Sequence, residues 1–271
     1  MSALSSPIGL QQARHSRAYW ALSDTWELTR RSLRHIRQDP EQLVSVTVQP
    51  VLLVIMFRYL FGGAISTGSS ESYINFLMGG IFVETAALTA TGTAVAVATD
   101  LQAGAVDRFR SLPMAESAVL TGHVIADLAR SLIGLAVMTG VGLAVGFRPH
   151  ATVAGWAAAI ALTSLVTFAL CWVSAALGMM SRSVEAVQQF GIVLILPILF
   201  SSAFVPTQTM PGWLRVVADN QPMTKAVEAV RALLLGQSAG AYATATVLWF
   251  SGISVLGFTL ATALFRRRTG G

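Results

Sequence analysis

Six apolar stretches, at residues 43–62, 73–99, 122–146, 153–178, 188–206 and 241–265, dominate this chain of 271 residues. Each approaches or exceeds the roughly 20 residues that a helix needs to cross about 30 Å of hydrocarbon. The pattern predicts an all-α membrane protein with six transmembrane helices. Composition agrees, because 54% hydrophobic residues, 11% charged residues and a mean hydropathy of +0.64 lie far from a soluble domain. The spans take up most of the chain, so no stretch outside them is long enough to fold as a separate catalytic or nucleotide-binding domain.

The net charge of +5 raises the possibility of a nucleic-acid partner, but the basic residues form no continuous stripe and are instead divided by loop. With a cytoplasmic N-terminus, the inner side holds Arg14, Arg17, Arg30, Arg31, Arg34, Arg37, Arg108, Arg110, Arg130, Arg182 and Arg266 to Arg268. The outer side holds Arg58, Arg148, Arg215, Lys225 and Arg231. Thirteen against five, out of 18 in all, is the asymmetry expected when Lys and Arg are retained inside. Both termini are therefore expected in the cytoplasm, with the chain in the plasma membrane and no nucleic acid as partner. Residues 1–40 show no short apolar run ending in a small-residue cleavage site, so the first span is expected to act as an uncleaved insertion signal.

Ahead of that span, in an arm covering residues 1–42, Leu22, Trp26, Leu33 and Ile36 recur on one helical face while Arg30, Arg31, Arg34 and Arg37 fill much of the rest. This reads as an amphipathic helix in the membrane interface, with arginines toward anionic lipid. An ordinary solvated helix is the alternative. Asp39 and Pro40 end it before the first span. A basic tail, residues 266–271, follows the last span.

Between the second and third spans, DLQAGAVDRFRSLPM at residues 100–114 puts Leu101, Ala105, Phe109 and Leu112 in a stripe that Asp100, Asp107, Arg108 and Arg110 avoid. A short amphipathic helix of this kind can dock on a soluble partner with Phe109 as anchor. A lipid-facing interfacial loop is the alternative. Between the fifth and sixth spans, residues 207–236 are too amphipathic to cross and too apolar for an exposed loop. Two short helices are predicted, with Pro211 and Pro222 at their starts and Gly236 ending the second. Val227, Val230 and Leu234 share one face of the second helix, and Lys225, Glu228 and Arg231 another. Such a pair can dip into the outer leaflet and return.

Charged residues inside spans are costly, at about 2.5–3.5 kcal/mol or more at the centre. Glu84, near the middle of the second span, is expected to face the interior or a hydrated cavity, protonated or paired, with Arg58 as a possible partner by snorkelling. A structural pair and a direct role with cationic substrate are both open. Asp127 and Arg130, one turn apart, read as a local structural pair. Phe168 and Trp172 in the fourth span, and Phe200 and Phe204 in the fifth, are each one turn apart and offer aromatic surface to a planar amphiphile. Core or lipid packing is the commoner use of such pairs. Gly142 and Gly146, and Gly252 and Gly257, allow close helix contacts, while Pro50 and Pro197 are places for a kink.

Enzymatic signals are weak. Gly236-Gln237-Ser238-Ala239-Gly240 matches GxSxG, but Ser238 follows a helical segment rather than a strand. Two glycines joining helices account for it better. Cys171 is the only cysteine, so no intramolecular disulfide or cysteine cluster is available, and no HExxH pattern suggests a catalytic metal. The only lysine, Lys225, follows Thr224 outside any GxxxxGK[ST] motif, so this polypeptide lacks that phosphate cradle.

Three features together resemble the permease subunits of type 2 ABC exporters, particularly the daunorubicin-resistance-like multidrug branch. They are the amphipathic helix before the first span, the DRFRSLP segment after the second, and the run Pro206, Met210-Pro211-Gly212-Trp213-Leu214, Gln221-Pro222, Arg231 and Gly236. The resemblance covers nearly the whole chain and makes residues 43–265 a six-span domain of that type. It implies a half-transporter that dimerises, homodimer favoured, on a separate ABC ATPase. That partner would bind ATP and Mg, with no cofactor in this chain.

On the same resemblance, residues 100–112 are the coupling helix. Asp100, Asp107, Arg108, Phe109 and Arg110 would meet the ATPase, with Arg182 and Glu185 adding a smaller contact. Residues 207–236, with Pro211, Trp213, Pro222 and Arg231, form the external re-entrant hairpin. Glu84, Phe168, Trp172, Phe200 and Phe204 are candidates for the substrate path. The expected substrate is a hydrophobic or amphipathic compound, with drug efflux ahead of lipid or polyketide export. An ATP-independent channel or secondary carrier using Glu84 is the competing class.

Overall fold

The computed structural model describes residues 40–62, 72–102, 116–181 and 183–269. The interfacial helix expected before residue 40 lies outside the described residues, as do Asp107, Arg108, Phe109, Arg110 and Arg182. Every regular element among the described residues is helical. The order is α1 (Pro40–Met56), continued by a π-turn (Phe57–Phe61), α2 (Tyr73–Gln102), α3 (Glu116–Val145), α4 (Val153–Met180) and α5 (Val184–Leu199). A 3-10 turn (Thr207–Thr209), α6 (Gly212–Asn220), α7 (Pro222–Leu234) and α8 (Gly240–Thr269) complete it. The segments Tyr73–Gln102, Leu120–Val145, Val153–Met180 and Gly240–Arg267 are long and apolar enough to cross a bilayer, and Val48–Phe61 and Val184–Leu199 are shorter apolar helices. The chain is a multi-pass membrane protein.

α2 is apolar on all sides, as a helix must be when neighbours surround it, and it packs against α1, α3, α4, α5 and α7. Small residues set the close crossings. A Cβ on Gly178 of α4 would lie 2.6 Å from the Ala94 carbonyl oxygen of α2, and one on Gly134 of α3 would lie 2.9 Å from the Thr85 methyl. Gly142 faces the Met78 side chain, and Gly257 of α8 seats against Trp172 of α4. The other two glycines expected at close contacts do different jobs. A Cβ added at Gly252 would meet nothing within 4 Å, so its face of α8 is open. Gly146, at φ +107, ends α3: its N–H donates to Leu143 and that of Phe147 to Gly142, the paired bonds of a Schellman cap. α7 ends the same way at Gly236, φ +71, with Gly236 N–H on Leu233 and Gln237 N–H on Ala232.

Helix direction sorts the ends of the bundle. The starts of α2, α4 and α8 and the end of α3 share one end with α6 and α7, since His150 N–H donates to Leu234 O at 3.1 Å and Arg231 reaches Phe76. The end of α2 and the start of α3 lie at the opposite end, where His123 and Asp100 pair at 2.8 Å. α2 extends to Gln102, so Asp100 and Leu101 continue that helix rather than open a separate one.

The fifth apolar stretch departs most from expectation. In place of one helix over 188–206, α5 stops at Leu199 and residues 200–204 are turns. Pro197 lies in the last turn of α5, where its missing N–H and its ring weaken the preceding ladder. Ser201 Oγ then donates to Ile198 O at 2.6 Å and accepts from Ala203 N–H at 3.1 Å, giving the backbone an alternative to the helix.

Candidate functional site

A helix broken at membrane depth leaves carbonyls that lipid cannot satisfy, so irregular backbone survives only where protein covers it. In residues 200–204, three alternate carbonyls are met by side chains from other elements. Gln221 Nε2 donates to Phe200 O at 2.7 Å, Arg231 Nη2 to Ser202 O at 2.5 Å, and Tyr73 Oη to Phe204 O at 2.7 Å. Gly80 admits the segment, since a Cβ there would collide with the Ala203 backbone.

Arg231 is the centre of this clamp. Its Nε donates to Phe76 O at 2.8 Å and its Nη1 to Glu228 Oε1 at 2.6 Å, while Cζ sits 3.6 Å from the Phe76 ring centroid. The planar fork suits three diverging acceptors in a way a lysine does not. Gly79 makes room, because a Cβ there would be 2.7 Å from Arg231 Cβ. Burial pulls the guanidinium below its ordinary range, and Glu228 acts against that. Arg231 therefore does not share an exposed polar face with Lys225 and Glu228: it is 6% exposed and turned inward. Val227, Val230 and Leu234 are buried as the sequence pattern predicts.

The hairpin otherwise starts where proline and glycine placed it. Pro211 precedes α6 and Pro222 is its counterpart inside the first turn of α7. Trp213, Val216 and Val217 project from α6 exposed. Gln221, Tyr73, Gly79 and Gly80 are the clamp members that sequence reasoning did not single out for this role. A glycine pair on one helix and a tyrosine at its first turn are signals too common to have found them.

Glu84, one turn after Gly80 on α2, is 2% exposed, and its Oε2 has no hydrogen-bond partner among the described residues. The possible pairing with Arg58 is not formed. Arg58 sits in the π-turn and its Nε donates to Val145 O at 3.4 Å, covering the carbonyl end of α3 instead. Asp127 and Arg130 do pair, and Thr93 of α2 donates to the same carboxylate. Ser131 and Thr167 bond at 3.0 Å, extending the polar contacts from α3 to α4.

The aromatic pairs divide. Phe168 and Trp172 meet edge to face at 6.2 Å, and Trp172, 2% exposed, makes a tighter contact with Phe258 of α8 at 4.8 Å. That is core packing between α4 and α8. Phe200 and Phe204 do not share a face, because the break intervenes: Phe200 is exposed, whereas Phe204 is buried and stacks on Phe57 at 5.0 Å. Ser238 lies in the link between α7 and α8, where Gly236 packs closely on the His150 backbone. Among the described residues no group of three or more His, Cys, Asp or Glu could hold a metal ion.

A family model described as ABC-2 type transporter matches residues 23–235, most of the chain. The protein belongs to that family. As an ABC-2 permease it is similar along nearly its full length to the daunorubicin resistance ABC transporter permease protein DrrB1 of Streptomyces coeruleorubidus. The two are 32% identical over 262 residues, 96% of this chain and 90% of the relative. A Mycobacterium tuberculosis protein named "Probable doxorubicin resistance ABC transporter permease protein DrrC" is 22% identical over 228 residues, 84% and 83% of the two chains. Within the permease, Asp100 is tied to His123, and Glu185 is exposed in the first turn of α5. Hydrogen bonds from its own backbone N–H and from Ser183 hold the Glu185 carboxyl below the usual range. Ser183 itself caps α5 by accepting from Ala186 N–H at 3.2 Å.

Proposed function

We propose that this permease is the membrane-spanning subunit of an ATP-driven exporter that moves a hydrophobic or amphipathic, drug-like compound outward. The observation that carries the reading is the 32% identity to a daunorubicin resistance permease across 96% of the chain. ATP and Mg belong to a separate ABC ATPase, and a second permease protomer, a copy of this chain, completes the path. Six spans are supported by four long apolar helices and two shorter ones in the order the hydropathy pattern predicts. The Lys and Arg asymmetry favours both termini in the cytoplasm.

In this orientation the end of α2 and the residues that follow it, 100–112 together, carry the coupling contact, with Phe109 as the anchor and Asp107, Arg108 and Arg110 setting register. Arg182 and Glu185 add the second, smaller contact. α6 and α7 are the re-entrant outer hairpin, held to α2 and to the broken end of α5 by Arg231. ATP-driven movement of the cassettes is transmitted through residues 100–112 to α2, and the clamp passes it to the hairpin. Glu84 lines the path for a cationic group, with Phe200 as the accessible aromatic. Trp172, Phe168 and Phe204 support the path from behind.

Co-reconstitution of the permease with its cassette ATPase in vesicles, followed by doxorubicin flux, tests the reading. ATP-dependent flux that needs both subunits supports it. Proton-driven flux by the permease alone would instead make Glu84 the centre of a secondary carrier.

A further inference from the structure

α8 turns one face away from the bundle. Ala245, Leu248, Trp249, Gly252, Ile253 and Leu256 line a groove of about 370 Å³ along it, within the size range of small-molecule clefts. Its floor is Gly252, where an added Cβ meets nothing within 4 Å. From Ala245 to Leu256 the helix rises about 16 Å, close to the thickness of one leaflet, which is half of about 30 Å.

Tyr242, one turn before Ala245, continues the same face beyond the mouth of the groove. The ammonium of Lys225 stands 5.5 Å from the centroid of that ring. Among the described residues it forms no ion pair with a carboxylate, and Glu228, one turn on, is engaged by Arg231 at 2.6 Å. An apolar slot one leaflet long, with a cation at its mouth beside an amphipathic ring, matches a glycerophospholipid in both shape and charge. The exposed apolar face of α8 runs on to Leu260, so a helix from a second copy of the chain is the competing occupant, and it is the cation at the mouth that favours the lipid.

We propose that the α8 groove is a specific site for an anionic phospholipid, with one acyl chain laid over Gly252 and the phosphate at Lys225. On the orientation given above the groove lies in the outer leaflet, but the site itself does not rest on that orientation, and it is testable without transport. The full-length permease, purified in mild detergent, is incubated with dioleoyl phosphatidylglycerol or with dioleoyl phosphatidylcholine. Retained lipid is then counted by native mass spectrometry. Gly252→Leu fills the groove, Lys225→Gln removes the charge, and Gly140→Leu is the control, on an equally open position of α3.

Wild type should hold phosphatidylglycerol in preference to phosphatidylcholine. Gly252→Leu should lose the bound lipid of either kind, and Lys225→Gln should cut the preference about fivefold while keeping a lipid. Gly140→Leu should match wild type. The proposal fails if Gly252→Leu retains phosphatidylglycerol as wild type does, or if Lys225→Gln leaves the preference intact. It fails equally if Gly140→Leu strips lipid as far as Gly252→Leu, or if Gly252→Leu changes only the oligomeric state.

Discussion

Replacing Arg231 by methionine keeps an unbranched apolar stem of similar reach and deletes the three hydrogen bonds that Arg231 donates. Glu228 is 29% exposed and regains water when the guanidinium goes. The carbonyl of Ser202, buried in the break, and that of Phe76, part-buried on the first turn of α2, do not. One buried and one part-buried acceptor that lose a charged donor cost about 1–3 kcal/mol each, so the loss is about 4 kcal/mol. Glu228→Gln removes the charge that faces the buried guanidinium but keeps an acceptor and leaves the other two Arg231 bonds in place, so it should cost about 1–2 kcal/mol. Arg231→Lys keeps the charge without the fork and should fall between the two. Reversible SDS unfolding in mixed micelles, followed by far-ultraviolet circular dichroism, gives the energies, and hydrogen exchange localises them. The Arg231→Met variant should exchange faster over residues 200–206 and α7 while α4 and α8 keep their protection. The reasoning is refuted if Arg231→Met unfolds within about 0.5 kcal/mol of wild type, or if Glu228→Gln costs as much as Arg231→Met.

Gly80→Ala drives a methyl into the Ala203 backbone and should destabilise by about 1–3 kcal/mol in the same unfolding assay. Asp127→Ala removes the carboxylate that Arg130 and Thr93 share between α3 and α2 and should cost about 3–5 kcal/mol, read as a lower unfolding midpoint. Trp172→Ala opens the α4–α8 contact and should cost about 3–5 kcal/mol. Substrate-stimulated ATPase measurements on that variant should show an unchanged half-saturating concentration, since the ring is buried against Phe258. Arg108→Glu and Phe109→Asp should each impair substrate-stimulated ATPase and transport while membrane insertion is retained, and coupling unchanged in both would reject the assignment of residues 100–112.

Period and punctuation carried much of the fold into the sequence. A run such as 153–178 has few ways to be anything but a membrane helix, and the structure places α4 at Val153–Met180. Pro222 and Gly236 likewise bracket α7 because proline suits a first turn and a left-handed residue closes the last. Hydropathy failed at residues 200–206, since an apolar segment reads the same whether it is helical or broken and buried. What distinguishes the two is the set of donors that arrive from Tyr73, Gln221 and Arg231, and that is tertiary information. The same limit explains Arg231, whose spacing puts it beside Lys225 and Glu228 on a helical wheel, although the Gly79 notch draws it inward. Glu84 was legible as a buried acid from its position alone, whereas the absence of an Arg58 partner followed from where α3 ends.

On the proposed function, export depends on a separate ATPase acting through the segment that bears Phe109. The most direct test compares ATP-dependent doxorubicin efflux from vesicles holding the permease alone, the permease with its cassette ATPase, and the same pair carrying Phe109→Asp. Efflux only from the intact pair, lost in the Phe109→Asp complex, is the predicted result; efflux from the permease alone, or full efflux with Phe109→Asp, would contradict it.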